Sequence, residues 1–164
     1  MAAASEANRM LSVRSSDGVV FLLTPELCEK SLLLKAFVPA SGQNAEPFPM
    51  ENVDAEEFRK ILQWMEHYVD SPAPSADQGQ KIELTAFDIQ FFGNDKTTVF
   101  KLILAANYLH IAGIVDGGTQ TIANMMKGLT TEELREKFDV ENDFTPEEEA
   151  ELRAENALAD DNDE

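Results

Sequence analysis

The spacing of apolar residues predicts a small sheet in the first fifty residues. Two β-rich runs, residues 11–13 and 19–23, flank Asp17 and Gly18. An Asp-Gly pair between such runs is a strong hairpin signal. Residues 47–50 are a candidate edge strand, because proline cannot donate to a central ladder. The pattern therefore predicts a hairpin and one short edge strand.

Two short helices are predicted directly after the hairpin. Thr24 is a typical N-cap, and Pro25 suits the first helical position. Ser31 is expected to cap a second helix over residues 32–37. Cys28 lies between these caps and is expected to be a small core residue.

The clearest amphipathic helix opens at Asp54, with Glu57 three residues on as its capping partner. A flexible loop is expected after it, over residues 70–82, because this stretch holds Pro72 and Pro74 among small polar residues. The helix presents one predicted buried stripe, formed by Phe58, Ile61, Leu62, Met65, Tyr68 and Val69.

A central helix is predicted over residues 98–111, after a shorter helical segment at 85–92 that ends at Gly93. Nearly every face of the longer segment is apolar. Because helices that are hydrophobic all round are usually buried, we expect this helix to lie at the centre of the domain.

Three short helices are predicted in the last third of the chain, over residues 114–127, 131–138 and 146–156, and the last two are acidic. Thr130 with Glu133 is a capping-box pattern, and Thr145 followed by Pro146 is a second helix start. These helices carry few large apolar side chains, so we expect those side chains to pack on another surface.

The charge changes which partners are plausible. The chain has 31 acidic and 13 basic residues, a net charge of −18. Residues 131–164 hold 15 acidic and three basic residues, and so carry −12 of that total. Nucleic acid and membranes are therefore not expected as direct partners. One cysteine, no secretory signal and no long apolar run favour the cytoplasm and the nucleus.

Catalytic chemistry is not indicated by any motif. His67 and His110 lie on different predicted helices without metal-ligand spacing. Gly117 and Gly118 lack the lysine of a phosphate loop and more simply mark a close helix approach or a break. The acidic run at 147–151 complements a helix dipole and stays solvated. We therefore expect no enzyme activity, no metal and no cofactor.

Several motifs together resemble the S-phase-kinase-associated adaptor family, the small subunit of SCF ubiquitin ligases. The resemblance covers roughly residues 12–156, and its specificity comes from the order and spacing of the motifs. They are SSDG at 15–18, ILQW at 61–64, LILAANYL at 102–109, IANMMKG at 122–128, TEELR at 131–135 and NDFTPEEEA at 142–150.

The resemblance implies an α+β, mostly helical fold with a BTB/POZ-like core at residues 10–112, which includes the small N-terminal sheet. A flexible start at 1–9 would precede this core. A C-terminal extension of F-box-binding helices at 113–157 and an acidic tail at 158–164 would follow it.

The resemblance also implies a non-catalytic adaptor that bridges F-box substrate receptors to a cullin. Asn107 and Tyr108 match the pair that meets the cullin. The sequence alone favours Tyr108 as a core aromatic with a solvated hydroxyl, and the resemblance reverses that preference. Pro146 matches a proline that is hydroxylated in some protist relatives. The F-box candidates are Ile122, Met125, Met126, Leu134, Phe138, Val140, Phe144, Leu152 and Asn156, some of which we expect only to pack the helices together.

Two departures from the family pattern bear on partner binding. Asn156 is not followed by the usual tryptophan and cysteine, and Phe87 stands where a tryptophan is usual. Another interpretation is a BTB-type structural subunit or homo-oligomer of a non-ligase complex, such as a kinetochore. A weak homodimer of the chain without its F-box partner is also open. A hydrolase that uses acidic residues would need a dry carboxylate pair, which the pattern does not indicate.

Overall fold

The computed structural model describes residues 10–40, 46–74, 82–141, 143 and 145–160. The predicted flexible start at 1–9, residues 75–81 of the predicted loop, and Phe144 lie outside the described residues. The chain divides into two compact units, Met1–Lys127 and Gly128–Glu164, and each is treated separately below.

The N-terminal sheet has the order β2-β1-β3. Strand β1 (Leu11–Arg14) pairs antiparallel with β2 (Val20–Leu23) and parallel with the two-residue edge strand β3 (Phe48–Pro49). The predicted hairpin and edge strand are thus confirmed. The connection between β1 and β2 spans residues 15–19, and Gly18 has a φ of 90°, a value that glycine adopts without strain.

Two short helices follow the hairpin as predicted. Helix α1 (Pro25–Cys28) begins with proline and is capped by the Thr24 side chain, which accepts from the Leu27 nitrogen. Helix α2 (Leu32–Phe37) is capped by Ser31 and continues into a 3-10 turn, Val38–Ala40. The side chain of Cys28 is fully buried, so its predicted place in the core is confirmed.

Helix α3 (Ala55–His67) begins with a complete capping box in which Asp54 and Glu57 each bond the backbone of the other. The predicted stripe is largely confirmed, with Leu62 and Val69 only half-buried. Trp64 joins it, because it packs 4.9 Å from the Tyr68 ring. The buried side chains on or beside this helix are Phe58, Ile61, Trp64, Met65 and Tyr68.

Helix α4 (Ala86–Phe92) starts from a second capping box, between Thr85 and Asp88, and ends at Gly93. The Asp88 carboxylate also accepts from the Tyr68 hydroxyl at 2.8 Å, which ties α4 to the end of α3. Phe87 is half-buried and stacks on His67 with 3.7 Å between ring centroids. A smaller ring than the family's tryptophan thus still packs between the two helices.

Helix α5 (Lys96–Leu109) and helix α6 (Ala112–Met126) complete the first unit. Helix α5 starts two residues earlier than predicted because Asp95 caps it, accepting from the Thr98 nitrogen at 3.1 Å. No helix within the described residues is long and apolar enough to cross a membrane.

The second unit contains α7 (Thr131–Phe138) and α8 (Pro146–Asp160). The predicted bounds of α7 are confirmed, and none of its residues is buried. Helix α8 runs past its predicted end at Asn156, because Ala157 and Ala159 continue the helix with strong formers. The part of the predicted acidic tail from residue 161 onward lies outside the described residues.

Candidate functional site

Helix α5 presents one largely apolar face that the described residues of its unit leave partly exposed. Leu104 is 70% exposed and Phe100 is 43% exposed. Asn107 is exposed, and Tyr108 is half-buried and packs against the core. Because residues four, seven and eight positions apart share one side of a helix, these four side chains form a single face.

The prediction that this helix is buried all round is wrong for that face. Its opposite side is fully packed, through Val99, Leu102, Ala105, Ala106 and Leu109. The spacing of apolar residues cannot distinguish a face that packs inside the chain from a face that binds a partner. Both kinds of contact remove hydrophobic surface from water, so both select apolar residues. Phe100 and Leu104 are thus candidate contact residues that the sequence analysis missed, although their spacing from Tyr108 was a readable signal.

The C-terminal end of α5 is held in place by helix α2. His110 takes the left-handed conformation, with a φ of 54°, and ends the helix. The Ser31 hydroxyl donates to the Leu109 carbonyl at 2.5 Å, and the Leu32 nitrogen donates to the His110 carbonyl at 3.3 Å. These bonds satisfy carbonyls that a helix end leaves unpaired, and so fix the turn that carries Asn107 and Tyr108.

Helix α6 lies unusually close to α4 and α5 because two glycines face them. A Cβ atom built on Gly117 would lie 2.8 Å from the Phe92 ring, and one built on Gly118 would lie 2.5 Å from Ile103 Cγ1. The Thr121 hydroxyl donates to the Gly117 carbonyl at 2.8 Å. Of the two sequence interpretations of this glycine pair, close approach is therefore confirmed.

The end of α6 holds the first group of F-box candidates. Ile122 and Met125 are half-buried and pack against the core of the first unit. Met126 is 43% exposed. Much of the Ile122 and Met125 side chains is therefore buried within the first unit, whereas Met126 presents apolar surface to a partner.

The second unit joins α7 to α8 through ion pairs. Between the helices, Arg135 lies 3.2 Å from Glu149 and Arg153 lies 2.8 Å from Glu132. Arg153 also lies 3.4 Å from Glu149 within α8. The Arg135 and Glu149 side chains are 18% and 26% exposed, so that pair is the less screened of the three. The two arginines offset part of the acidic repulsion between the helices.

The apolar candidates of the second unit differ in exposure. Leu134 and Phe138 are half-buried, Val140 is 58% exposed and Leu152 is 37% exposed. Phe144 and the side chain of Asn156 lie outside the described residues. Pro146 is exposed as the first residue of α8. This unit therefore has solvent-facing apolar side chains among acidic residues.

The described residues offer little to support catalysis. No three His, Cys, Asp or Glu side chains in this part of the chain lie together as a metal site would need. Burial raises the pKa of the Cys28 thiol to about 11, so the thiol stays protonated at neutral pH and is a poor nucleophile. Exposed apolar side chains are present in both units, at Phe100, Leu104 and Met126 in the first and at Val140 and Leu152 in the second.

Comparison with known proteins covers both ends of the chain. Residues 9–70 match the model described as Skp1 family, tetramerisation domain. Residues 112–159 match the model described as Skp1 family, dimerisation domain. The two matches include the hairpin, α1–α3, α6, α7 and nearly all of α8.

Relatives match over nearly their full length. The chain is 37% identical over 161 residues to the E3 ubiquitin ligase complex SCF subunit sconC of Arthroderma benhamiae, covering 95% of this chain and 98% of that protein. It is 38% identical over 159 residues to sconC of Aspergillus flavus, covering 94% and 99%. It is 37% identical over 163 residues to a Skp1-related protein of Caenorhabditis elegans, covering 93% of each. With two family models matched and this identity sustained along nearly the whole chain, the protein belongs to the Skp1 family.

Proposed function

We propose that this chain is the adaptor subunit of an SCF ubiquitin ligase and joins an F-box substrate receptor to a cullin for ubiquitin-dependent degradation. The observation that carries the proposal is its 37% identity to an SCF subunit over 95% of the chain. As a member of the Skp1 family it is a non-catalytic subunit. Its proposed place of action is the cytoplasm and the nucleus.

The cullin surface in this proposal is the exposed face of α5. Asn107 and Tyr108 supply its polar end, and Leu104 and Phe100 continue it as an apolar stripe. The Leu104 side chain, 70% exposed, leaves apolar surface in water, which binding would remove. A tyrosine with a packed ring and a solvated hydroxyl is a common interface residue.

The F-box contacts in this proposal are the candidates at the end of α6 and, separately, those of the second unit. Met126 at the end of α6 has a flexible thioether, which can adapt to different receptors. Val140 and Leu152 are the exposed large apolar side chains among the described residues of the second unit. The other proposed contacts are Ile122, Met125, Leu134, Phe138, Phe144 and Asn156.

Reconstitution from purified components tests the proposal. The chain is mixed with an F-box protein and with the N-terminal domain of a cullin, and the mass of each complex is measured by light scattering after gel filtration. We expect a 1:1 complex with the F-box protein and a 1:1:1 complex with all three. The chain alone is measured in parallel to test for a weak homodimer.

Self-association without binding to either protein would contradict the adaptor role. That result would favour a BTB-type structural subunit of a non-ligase complex. A pull-down of the full-length chain from its native cells, followed by identification of bound proteins, then distinguishes the two functions, because only the adaptor recovers a cullin together with F-box proteins.

A further inference from the structure

Leu32 is a large apolar side chain left in solvent at the first position of α2. It is 69% exposed, nearly the same fraction as Leu104 on the α5 face. Its backbone nitrogen donates to the carbonyl of His110, the residue at which α5 ends. Leu32 therefore stands next to the turn that carries Asn107 and Tyr108.

The position of Leu32 is fixed by more than one bond. The Ser31 hydroxyl donates to the Leu109 carbonyl and accepts from the Leu34 nitrogen at 3.2 Å, so one side chain both caps α2 and attaches it to α5. Leu34 is fully buried. Because Ser31 and Leu34 anchor this helix on either side of Leu32, the exposed leucine is held at the end of α5.

A protein interface of ordinary size is large enough for a partner seated on Asn107 to reach Leu32 as well. Asn107 precedes His110 by three residues, a rise of about 4.5 Å along a helix. A standard interface covers about 800 Å² on each partner, equal to a disc of roughly 16 Å radius. A partner centred on Asn107 and Tyr108 is thus wide enough to cover Leu32, which bonds the His110 carbonyl.

We infer that Leu32 is a further contact for the cullin, so that the cullin surface continues from α5 onto the start of α2. This inference rests on the proposed function. The chemistry required of the cullin is an apolar side chain or pocket facing Leu32, beside polar groups facing Asn107. Leu32, Leu104 and Phe100 then form the apolar part of one surface, and Leu32 adds a second helix to it.

Replacement of Leu32 by glutamine, with Leu22→Gln as the matched control, tests the inference. Leu22 is 63% exposed on the edge strand β2, and both variants remove an exposed leucine without changing the net charge. Affinity for the cullin N-terminal domain is measured by titration calorimetry on the chain saturated with F-box protein. We expect Leu32→Gln to weaken cullin binding about tenfold, and Leu22→Gln to stay within about twofold of wild type.

Three results would overturn the inference. In the first, Leu32→Gln binds the cullin within about twofold of wild type. In the second, Leu32→Gln and Leu22→Gln lose the same amount of cullin affinity. In the third, Leu32→Gln loses affinity for the F-box protein as well as for the cullin. If Leu32→Gln lowers the melting temperature, Leu32→Ala repeats the test, because alanine favours a helix. Failure of the wild-type chain to bind a cullin would instead overturn the proposed function itself, and is seen before any variant is compared.

Discussion

The Asp17 carboxylate accepts a hydrogen bond from the backbone nitrogen of Ala55 at 2.9 Å, which joins the hairpin turn to the first residue of α3. The Ser15 hydroxyl donates to the same carboxylate at 2.5 Å. The Ser16 nitrogen donates to the Val53 carbonyl at 2.8 Å, so backbone and side chain fix the same junction. The SSDG motif at 15–18 therefore docks the sheet on the start of the amphipathic helix.

Asp17→Ala should lower thermal stability at neutral pH, and the loss should shrink in acid. The Ser15 hydroxyl, with the Ala55 nitrogen, holds the pKa of Asp17 below its ordinary value of 3.8. Because the folded pKa is depressed, the stabilisation is complete above the unfolded pKa and is lost as pH falls through the folded pKa. Melting temperatures of wild type and variant are compared from pH 7 to below 3.8. A gap that is constant with pH would contradict the ionic role, and Glu51→Ala, at an exposed carboxylate, is the control.

Gly118→Ala should destabilise the first unit by about 1–3 kcal/mol, although alanine is the better helix former. The added methyl group would lie 2.5 Å from Ile103 Cγ1 and 3.0 Å from Cδ1. Unfolding in urea measures the loss. In the background of Ile103→Ala the same glycine substitution should cost less, because the opposing atoms are gone. Equal costs in both backgrounds would show that the helices are not in close contact there.

Asn107→Lys combined with Tyr108→Lys should weaken cullin binding at least about tenfold while F-box binding is kept. Two ammonium groups would be forced into the proposed contact, where they lose hydration without gaining partners. Equilibrium titrations with each protein measure the two affinities separately. Asn94→Lys, at an exposed position before α5, controls for added positive charge. Loss of both partners would indicate unfolding and would contradict the site assignment.

Pro146→Ala should cost less stability than Thr145→Ala. The proline change should stay below about 1 kcal/mol, and loss of the Thr145 cap should cost about 1–2 kcal/mol. The Thr145 nitrogen donates to the Glu148 carboxylate at 2.9 Å, and the Glu148 nitrogen donates to the Thr145 hydroxyl at 3.3 Å. Proline contributes only its fixed φ to this start. Amide exchange across α8 compares the variants, and the reverse order of effects would contradict the capping assignment. The intact mass of native protein tests whether Pro146 is hydroxylated.

Helices α7 and α8 should exchange their amide hydrogens quickly in the free chain and slowly when an F-box protein is bound. None of the residues of α7 is buried, and Val140 after it is 58% exposed. Ordering each residue costs about 1–2 kcal/mol of backbone entropy, which so little burial does not offset. Helix α5 should be protected in both states. Strong, equal protection of α5 and α7 in the isolated monomer would contradict this prediction.

The local elements were predictable because their signals are local. The caps at Thr24, Ser31, Asp54 and Thr130 each satisfy helix amides that have no partner in the first turn. The hairpin followed from Asp-Gly between two β-rich runs. The predicted end of α8 at Asn156 was wrong. A polar run and a missing aromatic residue suggested a tail there, but alanines continue the helix to Asp160.

The sequence by itself determined the elements, their caps and the family resemblance, since these depend on neighbours within a few positions and on motif order. Only the tertiary structure decided which apolar residues stay in solvent. Phe100 and Val99 are adjacent and similarly hydrophobic, yet one is 43% exposed and the other is fully buried. Residues distant along the chain, such as Gly118 against Ile103, decide which side of α5 packs on the rest of its unit. The local spacing of apolar residues does not predict which side that is.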